Sequence, residues 1–237
     1  MFDATVPFYD AIYAWKDYEE ETRRLLALLR KSGVRKPARW LDVACGTGLH
    51  LAALPNSIHR EGADASTRML AIAKKRLRGV ALHRADMRTL DLGRTFDVVS
   101  CLFSSVGYVR GSRELRRAVA AMARHVAPGG ALAIEPWFSP TEWKTPSVHA
   151  RLVDDLTLKI CRMNSSGRRG KVSVMDMHHL VGTPEGVEHV VERHEMWLFT
   201  RAEYRAALRA AGLVPTFDAK GISGRGLWIG TRGAGRR

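Results

Sequence analysis

Across residues 17–31, leucines at 25, 26, 28 and 29 stand on an otherwise charged background, the spacing of a helix with one buried face. Gly33 ends it, and the pattern changes to short apolar runs between turn residues. Residues 40–45 read as a strand and 49–54 as a short helix, and a second strand ends at Gly62-Ala63-Asp64. Ser66 is the expected N-cap of a helix over residues 67–77. Strands over 80–84 and 96–102 follow, with Asp86-Met87 between them. Ser112 is expected to cap a helix running to Val126, and Pro128-Gly129-Gly130 to stop it before a strand over 131–135. Strands alternating with helices predict an α/β fold built on a doubly wound, mostly parallel sheet.

Between residues 136 and 199 the helical period disappears. Residues 156–160 and 172–175 alternate like half-buried strands, and Ser165-Ser166-Gly167-Arg168-Arg169-Gly170 reads as the turn between them. A third strand is expected over 187–198, which makes this region an inserted antiparallel β lid. Thr200 then caps a helix to Ala211, and strands over 213–219 and 227–231 bring the main sheet to seven. The expected division is residues 1–135 and 199–232 for the main domain, 136–198 for the lid and 233–237 as a disordered tail.

Composition narrows the classes. At 237 residues, one α/β domain with an insertion is the simplest count. No apolar run approaches a membrane span. Cys45, Cys101 and Cys161 are far apart and odd in number, which suits reduced thiols in a cytoplasmic protein. The formal net charge is +14, yet the basic residues are scattered in pairs such as Arg23-Arg24 and Lys74-Lys75. Without a basic block, nucleic acid is a poor partner, and an anionic small substrate explains the charge equally well. His178, His179, His189 and His194 fall in expected strands without ligand spacing, so no metal site is expected.

The chemistry starts at residues 41–50, Leu-Asp-Val-Ala-Cys-Gly-Thr-Gly-Leu-His. A buried strand runs into a tight turn carrying Gly46 and Gly48, with Asp42 inside the strand. Open α/β sheets bind ligands at such strand ends. The third glycine of a dinucleotide fingerprint is missing, since Leu51 stands there, and so is the Gly-Lys-Ser/Thr of a Walker loop. A ligand with an amine and a ribose fits better, and S-adenosylmethionine is such a ligand. Asp64, twenty-two positions after Asp42, is placed to accept from ribose hydroxyls. Asp86 is placed to accept from an adenine amine and Met87 to lie on the ring.

With these parts in this order, the chain resembles the class I S-adenosylmethionine-dependent methyltransferases, and the resemblance extends over nearly all of it. It implies their Rossmann-like fold, and a cofactor site of Asp42, Ala44, Gly46, Gly48, Asp64, Ala65, Asp86, Met87 and Cys101. Ala44 stands where many members have a further glycine. Phe103-Ser104-Ser105-Val106-Gly107-Tyr108, Glu135-Pro136-Trp137 and Ser223-Gly224-Arg225-Gly226-Leu227 are similar to one subgroup, the TDP-aminosugar N,N-dimethyltransferases of macrolide deoxysugar pathways of antibiotic biosynthesis. This implies a nucleotide-linked aminosugar as acceptor of one or two methyl groups.

For that acceptor, Ser105 and Tyr108 offer hydroxyls, Trp137 a stacking face, and Arg225 a guanidinium in a glycine-flanked turn that suits a pyrophosphate. A plain turn arginine is the alternative. The resemblance makes Tyr13 an active-site tyrosine, in a segment folded over the site, and places a family histidine at His125. A histidine there also suits the dipole of a helix C-terminus. Tyr9 and Tyr18 read as packing residues. Tyr13, Glu135 or water is left as the acceptor of the amine proton. Two rivals stay open: an N-methyltransferase of another small amine or amino acid, and a basic RNA-associated or inactive binding protein of the same fold. The lid strands are also candidates for a homodimer contact.

Overall fold

The structure is a computed structural model and describes residues 4–234. Two short turns of helix, Val6–Phe8 and α1 (Tyr9–Ile12), lead into α2 (Tyr18–Lys31). Asp17 starts α2 by accepting the Glu20 N–H, and Glu19, Glu20 and Glu21 face its positive end. Leu25 and Leu29 are buried on its inner side, each worth about 1.5–3 kcal/mol.

The alternating part then runs β1 (Arg39–Val43), α3 (Leu49–Ala52), β2 (His59–Asp64), α4 (Thr67–Arg76), β3 (Ala81–Arg84), β4 (Phe96–Cys101), α5 (Gly111–Arg124) and β5 (Val126–Ile134). After the insertion come α6 (Arg201–Ala210), β10 (Val214–Asp218) and β11 (Leu227–Thr231). The seven strands lie in the order β10-β11-β5-β4-β1-β2-β3. All pairs are parallel except β10–β11 and β11–β5. The chain reverses its direction of winding between β1 and β4, and ligands bind such sheets outside the carboxyl ends at that point. Strand residues alternate between two cores: Leu41, Val99 and Leu132 pack with α5 and α6, Trp40, Val98 and Ala131 with α2, α3 and α4.

The insertion is a second sheet of β6 (Ser147–Asp154), β7 (Lys159–Arg169), β8 (Val172–Thr183) and β9 (Gly186–Trp197), antiparallel throughout. Its inner face carries Ile160 and Val181, which pack against Ile12 and Tyr13. Its outer face exposes Val148, Leu152, Met163, Leu180, Val187 and Val191.

Several sequence expectations need correcting. Ser112 does not cap α5; Arg110 holds the N-cap position without a side-chain cap, and the Ser112 hydroxyl donates to Glu203 at 2.7 Å. Pro128-Gly129-Gly130 does not stop the helix. It lies inside β5 as a bulge, where the pairing to β4 slips between Phe96↔Val126 and Val98↔Ala131. The polar run 165–169 is strand, paired as far as Arg169↔Val172, so the turn shrinks to Gly170-Lys171. Every side chain there is polar, yet Ser166 is buried on the inner face while Ser165 is exposed on the outer one. β6 lies outside the expected strands, and residues 156–158 form the bend after it. Of the expected disordered tail, residues 235–237 lie outside the described residues, while Gly233 accepts the Gly129 N–H at 3.3 Å.

Candidate active site

Five strand ends build the site. Residues 44–48 follow β1, Asp64 closes β2, Asp86 follows β3, Phe103 to Tyr108 follow β4, and Glu135 follows β5. A cavity of about 160 Å³ opens there, lined by Tyr9, Ala44, Gly46, Asp64, Ala65, Met87 and Tyr108 among others. A smaller hollow continues from it past Asp42, Phe103 and Ser105, sharing Tyr9, Ala44, Gly46 and Ser105 with the first.

The two glycines of the turn differ in what they do. Both have positive φ, +56° at Gly46 and +81° at Gly48. A Cβ on Gly46 would meet nothing within 4 Å, because the cavity lies in front of it. A Cβ on Gly48 would come within 2.6 Å of Leu77 Cδ1. Gly46 is therefore open to a ligand, and Gly48 lets α4 pack down on the turn. Gly48 is not part of the cavity wall as the sequence had suggested. Ala44 takes the same left-handed backbone at φ +58°.

The carboxylates are held in different ways. Asp64 accepts the Gly46 N–H on Oδ2 and the Ser66 N–H on Oδ1, each at 2.8 Å. Burial raises its pKa and these backbone bonds oppose the rise. Both oxygens keep a lone pair for hydroxyl donors in the cavity. Asp42 is buried, and its Oδ1 accepts from Ser100 Oγ at 2.6 Å, which in turn accepts from Trp40 Nε1 at 2.8 Å. Desolvation pushes the Asp42 pKa up to about 6, against the opposing pull of His50 and the Ser100 hydroxyl. Such a group gains from a cationic partner. Asp86 lines the cavity, but Arg88 grips it by Nη2 at 2.6 Å and by its N–H at 2.8 Å, which holds the carboxyl below its usual range.

This donor set fits S-adenosylmethionine. Asp64 would take the ribose hydroxyls, Asp42 the amino group, and Met87, Ala85 and Val109 the adenine faces.

Above the smaller hollow stands a ladder of rings and cations. Arg162 Cζ lies 5.6 Å from the Tyr13 ring, Tyr13 lies 5.1 Å from Phe103, and Arg225 Cζ lies 5.4 Å from Phe103 and 5.7 Å from Trp137. Trp137 is tied to the lid by its Nε1–H, which donates to Ser173 Oγ at 2.9 Å. Burial raises the Tyr13 pKa, while a hydrogen bond and charge from Arg162, and the charge of Arg225, oppose this. Glu135 is fully buried beneath the ladder. Its Oε2 accepts the Phe103 N–H at 2.6 Å, its Oε1 accepts from Ser223 Oγ, and Arg225 Nε lies 3.6 Å away. The carboxylate thus locks two site loops together.

The structure does not bring every expected residue here. His125 sits at the far end of α5, before β5 begins. It accepts the Leu92 N–H on Nε2 and bonds the Ala121 carbonyl through Nδ1, each at 2.8 Å, so both nitrogens serve the helix end. Cys101 is fully buried in the core below the cavity, where burial pushes its thiol pKa up. Conversely, Tyr9 and Tyr18 are more than packing: Tyr9 lines both hollows and Tyr18 the smaller one. Asp10 fixes that segment by accepting from Thr47 Oγ1 at 2.7 Å and pairing with Arg76 at 2.5 Å. At its start, Thr5 Oγ1 donates to Glu192 of the lid at 2.7 Å. Tyr108 and His194 of the lid are joined at 2.8 Å. Among the described residues, no group of three or more His, Cys, Asp or Glu side chains could hold a metal.

Comparison with known proteins matches residues 41–130 to a family described as a methyltransferase domain. The chain is 42% identical over 230 residues to a dTDP-3-amino-3,6-dideoxy-alpha-D-glucopyranose N,N-dimethyltransferase of Streptomyces fradiae, covering 95% of this chain and 90% of the relative. It is 40% identical to a dTDP-3-amino-3,4,6-trideoxy-alpha-D-glucopyranose N,N-dimethyltransferase of Streptomyces venezuelae, over 94% of this chain and 95% of that one. Its fold superposes on the crystal structure of Streptomyces venezuelae DesVI with a TM-score of 0.92 at 38% identity, over 98% of this chain and 100% of the other. An amino pentose methyltransferase of Micromonospora echinaspora, solved with its S-adenosylmethionine bound, gives 0.86 at 39% identity, over 98% of each chain.

Proposed function

Because the chain belongs to the S-adenosylmethionine-dependent methyltransferases, in the group of the sugar N,N-dimethyltransferases, we propose that it methylates the amine of a TDP-linked aminosugar once or twice. The observation that carries this reading is the position of Phe103. One side of it lines the hollow beside Asp42, and the other supports the Tyr13–Arg225 ladder, so a donor site and an aromatic, cationic acceptor site meet at one residue.

The bound cofactor supplies an electrophilic sulfonium methyl. The protein's share is alignment and exclusion of water. Asp42 and Asp64 hold the two ends of the cofactor, while Gly46 and Ala65 let backbone lie against it. Tyr13 and Tyr108 border the acceptor, Ser105 offers a hydroxyl, Trp137 stacks, and Arg225 pairs with phosphate. Glu135 acts as a positioning residue through Phe103 and Ser223, since it is fully buried and each oxygen ties down one of the two loops. Tyr13, kept a phenol by burial, is the side chain best placed to accept a hydrogen bond from the amine and orient its lone pair, and the proton released on methylation leaves to water.

Residues 136–198 serve as the substrate-covering lid, and residues 1–135 with 199–232 as the cofactor-binding domain. The apolar outer lid face supports pairing with a second copy. Three free cysteines support a reducing, cytoplasmic setting; no helix among the described residues is long and apolar enough to cross a membrane. Incubation with labelled S-adenosylmethionine and a panel of TDP-aminosugars tests the reading. Label appears in at least one sugar, and transfer to none of them sinks it.

A further inference from the structure

Resting on the reading that the acceptor is a nucleotide sugar, we propose that Arg162 of the lid is the second arginine holding its diphosphate, opposite Arg225. Arg162 lies on the inner face of β7 between buried Ile160 and Asn164, next to buried His179 of β8 in the ladder register. It caps one end of the row Arg162–Tyr13–Phe103–Arg225, at successive separations of 5.6, 5.1 and 5.4 Å.

The charges at the two ends are balanced differently. Arg225 has Glu135 at 3.6 Å. Arg162 has no ion pair among the described residues, and its buried Nε finds no hydrogen-bond acceptor. A buried guanidinium N–H left unbonded is costly, and a phenol relieves it only in part because it brings no charge. The nearby Glu192 carboxylate is engaged by the Thr5 hydroxyl and by the Ala4 and Thr5 N–H groups. Across the strand, buried His179 Nδ1 also lacks a partner. The inner face of the lid therefore carries unmet polar groups, at the far end of a ladder whose other end is already cationic.

A sugar hydroxyl would supply an acceptor without charge, and a single anionic group would satisfy one arginine. Two linked phosphoryl groups supply both, in the bidentate geometry guanidinium prefers. Since Arg162 belongs to the lid and Arg225 to the main domain, such a ligand would bridge the two.

The test is calorimetric titration of the full chain, loaded with S-adenosylhomocysteine, with thymidine diphosphate and with thymidine. Arg162→Met should weaken thymidine diphosphate at least about tenfold and leave thymidine and S-adenosylhomocysteine unchanged. Arg162→Lys keeps the charge without the fork, should fall between, and stands in if the methionine variant does not fold. Equal diphosphate affinity in wild type and either folded variant overturns the inference and leaves the nucleotide-sugar reading standing. A wild-type protein that binds neither thymidine diphosphate nor thymidine overturns both.

Discussion

Gly46 donates its N–H to Asp64 Oδ2 at 2.8 Å, joining the turn after β1 to the end of β2 across eighteen positions of sequence. The bond fixes a carboxylate at the rim of the cavity before any ligand arrives. Asp64→Asn keeps one acceptor oxygen for two backbone donors. S-adenosylhomocysteine affinity, measured calorimetrically, should fall roughly tenfold to hundredfold, with about 1 kcal/mol lost in stability. An unchanged affinity would remove Asp64 from the cofactor site.

The two turn glycines should fail in different ways when each is replaced by alanine. Gly46→Ala puts a methyl into the cavity, so cofactor affinity drops with a stability loss of about 1 kcal/mol from the positive φ. Gly48→Ala strikes Leu77, so stability drops by about 2–4 kcal/mol, strain and overpacking together. Urea melts alongside binding titrations separate the two. A reversed pattern would mean that the turn is misassigned.

Asp42 gives a pH signature. Its folded pKa of about 6 lies above the unfolded value, so the folded protein binds the extra proton between about pH 4 and 6. Its contribution to stability is fully present below the unfolded pKa and is lost as pH rises through the folded one. In Asp42→Asn that slope should vanish from the denaturation midpoints. A cationic amine on Asp42 favours the carboxylate, so cofactor binding near pH 6 should release protons. Calorimetry in buffers of different ionisation enthalpy reads this directly, and no release would count against the contact.

Glu135→Gln separates a positioning role from a base. The amide accepts with one atom only, so it can keep the Phe103 N–H while Ser223 must turn to accept from the new NH2, and the buried charge beside Arg225 is lost. We expect a loss of about 2–4 kcal/mol in stability and a raised KM for the acceptor, with the acid limb of the pH–rate profile unmoved. A profile that loses a limb while the fold holds would make Glu135 the proton acceptor.

The sequence carried much of this, for identifiable reasons. Period and caps decided much of the α/β part: Ser66 and Thr200, two of the three expected caps, each accept the amide three residues on. The bulge in β5 was hidden because Pro-Gly-Gly reads locally as a stop, and only the pairing with β4 overrides it. The lid register was hidden because its inner face is polar, with Arg162, Asn164, His179 and Glu192 where a core strand would show aliphatics. Asp64 and Gly46 were legible from motif spacing, whereas Tyr9 needed the fold, since nothing in its own neighbourhood tells a packing tyrosine from a cavity wall. His125 misled because a helix-end histidine has the same local sequence whether it caps or catalyses.

The central claim is that this cofactor cavity serves an aminosugar nitrogen carried on a nucleotide. Mass spectrometry of the product formed from S-adenosylmethionine and a TDP-linked aminosugar tests it most directly. The account predicts mass gains of one or two methyl groups on the sugar nitrogen, diminished in Tyr13→Phe and Arg225→Ala. Methylation of free amines or amino acids at comparable rates, with the TDP-aminosugars left unmodified, would contradict it.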